Sequence, residues 1–500
     1  MKSQSLREQW LPNLPGNVLA GLTTAFALVP ECIAFALVAQ VNPLMGLYGA
    51  FIICALTAIF GGRPGMISGA AGSMAVVIVA LVVEHGVQYL LATVVLGGLL
   101  MMLFGLLRLG KLIRMVPHPV MIGFVNGLAI IIAMAQLEHF KQATPQGTVW
   151  LHGTPLAIMC ALVALTMLIV YVLPRLTKAV PPALVAIVGV GLLSQLLNLP
   201  TRTLGDMAHI AGAFPTLHLP QVPFTLETLR IVFPYALLMA IVGLLETLLT
   251  FNLTDDITQT RGRPNRECLA LGVSNVVSGM FGGMGGCAMI GQTMINLSSG
   301  GRTRVSGATA GFMILLFVLF LSPLIERIPL AALVGVMFVV AQQTFAWGSL
   351  RVLGKVPRND ALVIVAVTVI TVFTDLAVAV MCGIVIAALN FAWQHAREIR
   401  AEVVDGVDGV EGADARTYVL HGTLFFASTA NFQDLFRPLS DVHDVVVDCR
   451  HLHVADHSAI VAFETLRERY RKAGRNLRFV NLSSRNQHML ERAGVSFAEA

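Results

Sequence analysis

The chain has 500 residues, of which 56 % are hydrophobic and only 12 % are charged. An ordinary soluble protein carries about 25 % charged residues, so this composition excludes a soluble fold and indicates an integral membrane protein. The net charge of +5 is small for this length and gives no reason to expect a nucleic-acid partner.

Apolar segments follow one another between residues 16 and 397, after a polar segment at 1–15 that is predicted to be cytoplasmic. The first repeat, at about 16–197, predicts helices at 16–38, 46–60, 70–83, 88–107, 115–137, 154–173 and 180–197. The second repeat, at about 229–397, predicts helices at 229–252, 267–281, 289–299, 303–322, 328–344, 360–374 and 376–396. The expected fold is therefore an α-helical polytopic membrane protein with 14 spanning helices.

Basic residues are concentrated in alternate loops and predict the orientation. The clusters lie at 2–7, 63, 108–114, 175–178, 261–266, 302–304 and 351–358. By the positive-inside rule both termini are cytoplasmic, as an even number of spans requires. We expect a multi-pass protein of a cell membrane, the inner membrane of a bacterium.

The C-terminal part has a different character. Residues 398–415 are predicted to be a linker, and 416–500 a small cytoplasmic α/β domain, because strand-like runs alternate there with amphipathic helical ones. Gly474 is placed to end one such helix. Asp456 and Ser458 lie at the start of this helix; either one could be its N-cap, and the alternative is that Ser458 is a phosphorylatable regulatory residue.

Two glycine-rich motifs occupy corresponding positions of the two repeats: FGGRPGMISGAAGS at 60–73 and FGGMGGCAMIGQTM at 281–294. Each one opens an unusually short third helix. Since seven helices per repeat is an odd number, the second repeat is inverted relative to the first, as in transporters whose broken helices meet at the bilayer midplane. The N–H groups of two such half-helices form an anion pocket. The alternative is that these glycines only allow close helix packing.

Two acidic residues lie within predicted spans, where ionisable groups are costly. Glu31 follows Pro30 in the first helix and is predicted to titrate or to bind a cation during transport; the alternative is a permanently protonated carboxyl. Glu246 and Thr250 are one helical turn apart and could bind a coupling ion such as sodium, or form an interhelical hydrogen bond. Asp255, Asp256 and Arg261, just past the predicted eighth helix, are interpreted as a solvated, ion-paired end.

No pair of a nucleophile and a base, and no metal-ligand cluster, supports an enzyme, and no cofactor is expected beyond a co-transported proton or sodium ion.

Several motifs together resemble the SulP family of sulfate permeases and solute-carrier anion exchangers. These are LVPECIAFALVAQVNPLMGLYGAF at 28–51, NRECLALGVSNVVSGMFGGM at 265–284 and INLSSGGRTRVSG at 295–307. LHGTLFFASTANF at 420–432 and DCRHLHVADHSAI at 448–460 are similar to a STAS domain. The resemblance implies two inverted seven-helix repeats arranged as core and gate domains, an elevator-like movement of the core, and a homodimer.

The resemblance also implies the positions of the site residues. The substrate anion is expected between the starts of the third and tenth helices, at Ala71, Gly72, Ser73, Met289, Ile290, Gly291 and Gln292. Glu31 and Phe35 of the first helix are expected to line it. Glu246 and Thr250 fall where a sodium-coupled bicarbonate member places its ion ligands.

Two departures from the family pattern bear on coupling. Many members have Gln where this chain has Glu31, and Arg where it has Gln292. The pocket thus loses a fixed cation and gains an acid, which a proton on Glu31 would neutralise as the anion enters.

The sequence therefore predicts proton-coupled symport of a small anion: bicarbonate, sulfate or a dicarboxylate. Sodium-coupled symport, anion exchange and an uncoupled anion channel on the same fold are the alternatives. A membrane sensor whose STAS domain binds a cytoplasmic protein partner is a further one.

Overall fold

The structure, a computed structural model, describes residues 6–108, 117–144, 147–177, 181–206, 212–352, 358–373, 376–405, 415–483 and 486–487. The chain divides into two units, residues 1–383 and 384–500, and each is described by itself.

The membrane helices follow the predicted order. The first repeat consists of α1 (Leu14–Val38), α2 (Pro43–Phe60), α3 (Gly72–His85), α4 (Val87–Leu106), α5 (His118–Gln136), α6 (Thr154–Leu176) and α7 (Pro182–Leu196). The second consists of α8 (Leu226–Thr258), α9 (Pro264–Met280), α10 (Ile290–Ser298), α11 (Arg304–Glu326), α12 (Leu330–Thr344), α13 (Arg358–Phe373) and α14 (Leu376–Ala396). Shorter elements are the helices Leu6–Trp10 and Trp347–Val352, and the strands β1 (Ser68–Gly69), β2 (Lys141–Thr144), β3 (Gly147–Trp150) and β4 (Cys287–Ala288).

Within the described residues, seven helices are long and apolar enough to cross a bilayer on their own: α1, α2, α4, α5, α6, α8 and α11. Every predicted helix has a counterpart, and each predicted end except one lies within four residues of the observed end. The predicted helical architecture is confirmed.

The exception is the end of α8, predicted at residue 252 but observed at Thr258. Asp255 was expected just past the helix in a solvated, ion-paired end. The ion pair is confirmed, but the position is wrong, because Asp255 lies inside α8 with its carboxylate 3.1 Å from Arg63, whose side chain is only 2 % exposed. The hydroxyls of Thr254 and Thr258 donate to carbonyls one turn earlier, at 2.7 Å each. The ion pair with Arg63 holds this polar turn in the helix, whereas its composition alone predicts an earlier helix end.

Contacts among the described helices of the first unit fall into two groups, α1–α4 with α8–α11 and α5–α7 with α12 and α13. We call them the core group and the gate group. Small residues permit the tightest contacts within the core group. A Cβ on Gly98 of α4 would lie 2.6 Å from the carbonyl oxygen of Gly272 in α9, and a Cβ on Gly272 would lie 2.7 Å from that of Gly98. The core group is thus assembled from both repeats.

The second unit contains a four-stranded sheet with strand order β5-β6-β7-β8. Its elements are β5 (Arg400–Asp405), β6 (Ala415–Leu424), α15 (Thr429–Asp434), β7 (Asp444–Val454), α16 (His457–Lys472) and β8 (Asn476–Val480). β6, β7 and β8 are parallel, and β5 pairs antiparallel with β6. Buried side chains of the sheet and α16, including Leu420, Val447, Phe463 and Leu466, form its core. Gly474 adopts φ +68° just after α16, so its predicted role at the helix end is confirmed.

The predicted linker at 398–415 is wrong for residues 400–405, which form the edge strand β5. The segment RAEVVD is short and half charged, so it carries little strand signal of its own. Its pairing with β6 supplies what its composition lacks. Linker residues 406–414 and the predicted domain end at 488–500 lie outside the described residues.

Asp441 ties the sheet to α16 in this unit. Its carboxylate accepts hydrogen bonds from the hydroxyls of Tyr470 and Tyr418 (the latter at 2.8 Å) and pairs with Arg416 at 3.1 Å. Burial alone raises the pKa of this carboxyl, but the three donors outweigh burial and hold the pKa of Asp441 below its ordinary value. Asp441 is therefore ionised at neutral pH.

Candidate anion site between two half-helices

Two short helices begin inside the core group, where β1 and β4 pair antiparallel. Ser68 lies opposite Ala288, and Gly69 lies opposite Cys287. α3 starts three residues after β1, and α10 starts two residues after β4. The predicted meeting of two half-helices is what the described residues show.

The ladder depends on the absence of a side chain at Gly286. A Cβ at this position would lie only 2.0 Å from the carbonyl oxygen of Gly69. The side chain of Asn275 in α9 accepts from the backbone N–H of Gly286 at 2.9 Å and donates to its carbonyl at 3.0 Å. The glycine motif therefore has a specific steric role here beyond general helix packing.

The strand register also corrects the alignment of the two repeats. Aligning the two FGG motifs would place Ser73 opposite Met294. The antiparallel pairs, however, relate Ser68 to Cys287 by the local two-fold axis, and hence Ser73 to Gln292. The turns between FGG and the strands differ in length, so superimposing the two FGG motifs does not superimpose the two half-helices.

Ser73 and Gln292 each donate a hydrogen bond to a carboxylate. The side-chain amide of Gln292, the third residue of α10, donates to the carboxylate of Glu31 in α1. The hydroxyl of Ser73, the second residue of α3, donates to the carboxylate of Glu246 in α8 at 2.7 Å. The structure thus places an acidic side chain at the start of both half-helices.

Cys287 completes the contacts of Glu246. Its thiol lies 2.8 Å from the same carboxylate oxygen and 4.0 Å from the hydroxyl of Ser73. Sequence reasoning missed Cys287, although its place directly after the second glycine cluster was a usable signal. The described donors to Glu246 are thus a hydroxyl and a thiol, whereas the described donor to Glu31 is one amide.

Thr250 is not brought to the Glu246 carboxylate. Its buried hydroxyl donates to the backbone carbonyl of Glu246 at 2.8 Å, inside the helix. The neighbouring hydroxyl of Thr247 accepts from the backbone N–H of Ala288 in β4 at 3.0 Å. α8 is therefore bonded to β4 through a residue that the sequence did not single out.

Phe35 covers the start of α3. It is 3 % exposed, and a Cβ on Gly72 would come within 2.8 Å of its ring. Ala71, the N-cap of α3, and Met289, the N-cap of α10, are buried and offer no side-chain cap. Among the residues that the structure describes, neither helix start thus has the N-cap side-chain acceptor that usually caps a helix.

The start of α10 is the more open of the two. Ile290 is 45 % exposed, and a Cβ on Gly291 would meet no atom within 4 Å. In the described residues, the side chains bonded at the two helix starts are amide, hydroxyl, thiol and carboxylate. What this arrangement offers to an anion is backbone N–H groups and helix dipoles rather than a lysine or arginine.

A second polar cluster, which the sequence did not indicate, lies in the core group where α2 ends and α9 and α11 begin. The buried carboxylate of Glu267 in α9 accepts from the backbone N–H groups of Gly62 and Arg63, at 2.6 and 3.0 Å. Arg304 of α11 donates to the carbonyls of Ala58 and Gly61 at the end of α2, at 2.8 and 2.7 Å. These bonds fix the loop that leads from α2 to β1, and therefore the entry of the first half-helix.

In the second unit, Asp456 is the N-cap of α16 and accepts from the N–H of Ala459 at 3.0 Å. Its second oxygen accepts from the N–H of Phe426 at 2.8 Å. Ser458 is the second residue of the helix and is half-buried. Its regulatory role stays a prediction.

Comparison with known proteins agrees with this architecture. Residues 14–367 match the Sulfate permease family, and residues 399–499 match the STAS domain. A protein named putative sulfate transporter YbaR, from Bacillus subtilis, is 41 % identical over 98 % of this chain and 99 % of its own length. The bicarbonate transporter BicA of Synechocystis is 30 % identical over 97 % of this chain and 91 % of its own.

Solved structures show the same fold. The transmembrane domain of a cyanobacterial bicarbonate transporter BicA is 32 % identical, covers 74 % of this chain and 98 % of its own, and gives a TM-score of 0.65. The structure of SLC26A9 gives a TM-score of 0.81 over 98 % of this chain and 88 % of its own; its 17 % identity shows a shared fold only.

Proposed function

Because the chain belongs to the sulfate permease family of multi-pass membrane anion transporters, we propose that it is a secondary active symporter that couples a small anion to protons. The observation that carries this proposal is that a carboxylate already sits at the start of each half-helix, at Glu31 and Glu246. These carboxylates are bonded to side chains near the positive helix ends that a substrate anion needs.

The ionised carboxylates oppose substrate binding. Two unit charges of like sign 4–8 Å apart repel by about 2–4 kcal/mol at an effective dielectric constant of 20, which corresponds to about 30-fold or more in affinity. Protonating one carboxylate removes this repulsion and frees the neighbouring helix start. Binding of the anion and of the proton would then be thermodynamically linked, as symport requires.

Glu31 is the proposed proton carrier. A proton on Glu31 disturbs one described hydrogen bond, that from Gln292, whereas a proton on Glu246 disturbs those from Ser73 and Cys287. Glu31 also lies beside the more open helix start, at Ile290 and Gly291. The anion is proposed to bind the first-turn N–H groups there and those of Gly72 and Ser73 opposite.

The wider properties are part of the same proposal. The substrate is bicarbonate, sulfate or a dicarboxylate, and the names of the relatives, sulfate and bicarbonate transporters, support the first two. The core group carries the anion in an elevator-like movement against the gate group. The protein works as a homodimer in a bacterial inner membrane with both termini in the cytoplasm, where the STAS domain binds a protein partner.

The test is uptake of labelled sulfate, bicarbonate and fumarate into proteoliposomes under an inward proton gradient or a sodium gradient. We expect proton-driven accumulation of one of these anions. In Glu31→Gln, which keeps the size and removes the charge, accumulation should be lost while equilibrative exchange survives. Unchanged proton-driven accumulation in Glu31→Gln would contradict the assignment of Glu31, and flux that only equilibrates under every gradient would contradict symport.

Sodium coupling is the second candidate, and one observation favours it. The Glu246 carboxylate and the Ser73 hydroxyl are oxygens 2.7 Å apart at a half-buried position, and they are of the type that hard cations prefer. Accumulation driven only by sodium, and lost in Glu246→Gln and Ser73→Ala but not in Glu31→Gln, would move the coupling role to Glu246 and Ser73.

A further inference from the structure

An apolar crevice separates the core group from the gate group on the side of α7. It has a volume of about 150 Å³ and lies between α1, α11 and α7. Its buried lining includes Val29 and Pro30 of α1, Ile187 of α7 and Phe317 of α11. Pro30 directly precedes Glu31, so the crevice lies behind the segment of α1 that carries this carboxyl.

The crevice is open at its side. Its rim residues Val188, Leu192 and Leu324 are 46 %, 55 % and 59 % exposed. In a membrane protein these side chains face hydrocarbon, so the material available to fill the crevice is an acyl chain rather than water. An acyl chain would contact helices of both groups at once.

A polar pocket continues the crevice at one end. Its volume is about 620 Å³, and the two spaces share Gly191, Gln195 and Arg327 as lining residues. The polar pocket is also lined by the carboxylates of Asp206 and Glu326. Hydrogen bonds from Thr203 lower the pKa of Asp206, so this carboxyl is anionic at neutral pH. One space thus accepts a hydrocarbon chain, and its continuation is lined by one arginine and two acidic residues.

We propose that the joined crevice and pocket bind a phospholipid with a primary ammonium headgroup, a phosphatidylethanolamine, between the core and gate groups. An acyl chain lies along Val29, Ile187 and Phe317. The phosphate pairs with Arg327, and the ammonium donates to Asp206 and Glu326. Charge complementarity selects this headgroup, because a glycerol headgroup gives the carboxylates no cation and a trimethylammonium cannot donate hydrogen bonds to them.

The lipid would act on the relative movement of the two groups. It contacts α1 and α11 on one side and α7 on the other, so a displacement of the core group must slide or release the acyl chain. This consequence depends on the proposed elevator movement, whereas the binding itself does not. The binding test therefore needs no transport measurement.

The test is lipid binding to the full-length, delipidated protein by native mass spectrometry, with phosphatidylethanolamine, phosphatidylcholine and phosphatidylglycerol of the same acyl chains. We expect about tenfold tighter binding of phosphatidylethanolamine than of the other two, as for one charge-assisted hydrogen bond. Arg327→Ala should weaken its binding about tenfold, and Asp206→Asn should reduce its advantage over phosphatidylcholine.

Matched variants separate this site from general lipid adhesion. In Gly191→Leu the new Cβ meets only Pro329, at 3.5 Å, so the fold tolerates it while the side chain fills the shared part of the cavity. We expect this variant to lose the tight lipid. Gly189→Leu lies two residues away and is exposed, and Arg230→Ala removes an exposed arginine near the start of α8; both should bind lipid as the unmodified protein does.

Equal binding of the three lipids, or unchanged binding in Gly191→Leu, would overturn the proposal. A separate uptake assay in phosphatidylethanolamine-free vesicles then tests whether the lipid affects the movement of the core group. This assay can be run whichever ion drives transport.

Discussion

Replacing Gly286 by alanine tests whether the two half-helices depend on the contact between β1 and β4. The added Cβ would lie 2.0 Å from the carbonyl oxygen of Gly69. Real Cβ atoms essentially never approach closer than 3.0 Å, so the strands must separate by about 1 Å or more. Because the obstacle is backbone and not the end of a flexible side chain, the cost is that of an overpacked core, about 1–3 kcal/mol.

The separation would have a second effect, on transport. The two helix starts are joined by the two residue pairs of this ladder. A shift of about 1 Å in such a site is enough to cost on the order of 100-fold in rate when two groups must act on one substrate. We therefore expect a lower thermal midpoint of the detergent-solubilised protein and a larger loss of uptake than the loss of stability explains.

Gly291→Ala and Gly348→Ala are the matched controls, because neither added Cβ would meet an atom within 4 Å. Both should keep the thermal midpoint, and only Gly291→Ala, at the start of α10, should alter the apparent affinity for the anion. A Gly286→Ala protein with an unchanged midpoint and unchanged uptake would refute the view that the ladder positions the half-helices.

Three further changes test contacts outside the anion site. Asp255→Ala leaves the buried guanidinium of Arg63 without its carboxylate, although other oxygens still accept from Arg63. We therefore expect the free energy of unfolding to fall by about 2–3 kcal/mol, which is below the usual cost of breaking a buried pair. Asp256→Ala, at the exposed neighbouring residue, should leave the thermal midpoint unchanged. The pKa of Asp441 is lower in the folded protein than in the unfolded chain, so its contribution to stability is complete above the unfolded pKa near 4 and is lost as pH falls through the folded pKa. Hydrogen exchange of the sheet should therefore become faster in acid, and Asp441→Asn should reduce this pH dependence. Asp456→Ala removes the N-cap of α16 and should destabilise the STAS domain by about 1 kcal/mol, measured by proteolysis of the full-length protein, whereas Asp456→Asn should retain most of the cap.

The membrane architecture could be predicted because its signal is local. A span is recognised from its own apolar residues, and so thirteen of the fourteen predicted helices end within four residues of the observed positions. The end of α8 could not be predicted from its own residues, because its last polar turn depends on the ion pair of Asp255 with Arg63. Arg63 lies 192 residues earlier in the chain (255 − 63). The strand β5 was missed for a similar reason, since its stability comes from pairing with β6.

The sequence predicted which residues lie at the candidate site, but not the hydrogen bonds between them. The glycine clusters and the two lone glutamates located both half-helices. The residues next to Glu246 in the sequence, however, do not indicate that its carboxylate accepts hydrogen bonds from Ser73 and Cys287 instead of sharing a site with Thr250. That preference arises from the antiparallel pairing of β1 and β4, which brings residues of opposite repeats together.

This pairing also bears on why the two acids are proposed to have different roles, although the pocket is built from equivalent parts. The two-fold relation gives each half-helix a carboxylate, but the positions that hold it differ: an amide at Gln292 on a long side chain, and a hydroxyl at Ser73 supported by Cys287. A long amide can turn and present its oxygen to a protonated acid, whereas the hydroxyl and thiol beside Glu246 give its charged form two donors at once. This asymmetry supports the proposed roles of the two acids, in which Glu246 keeps its charge beside α3 and Glu31 carries the proton beside α10. Exchanging the two environments, by Gln292→Ser together with Ser73→Gln, should transfer proton dependence from Glu31 to Glu246; uptake that still depends on Glu31 would show that the difference lies elsewhere in the helices.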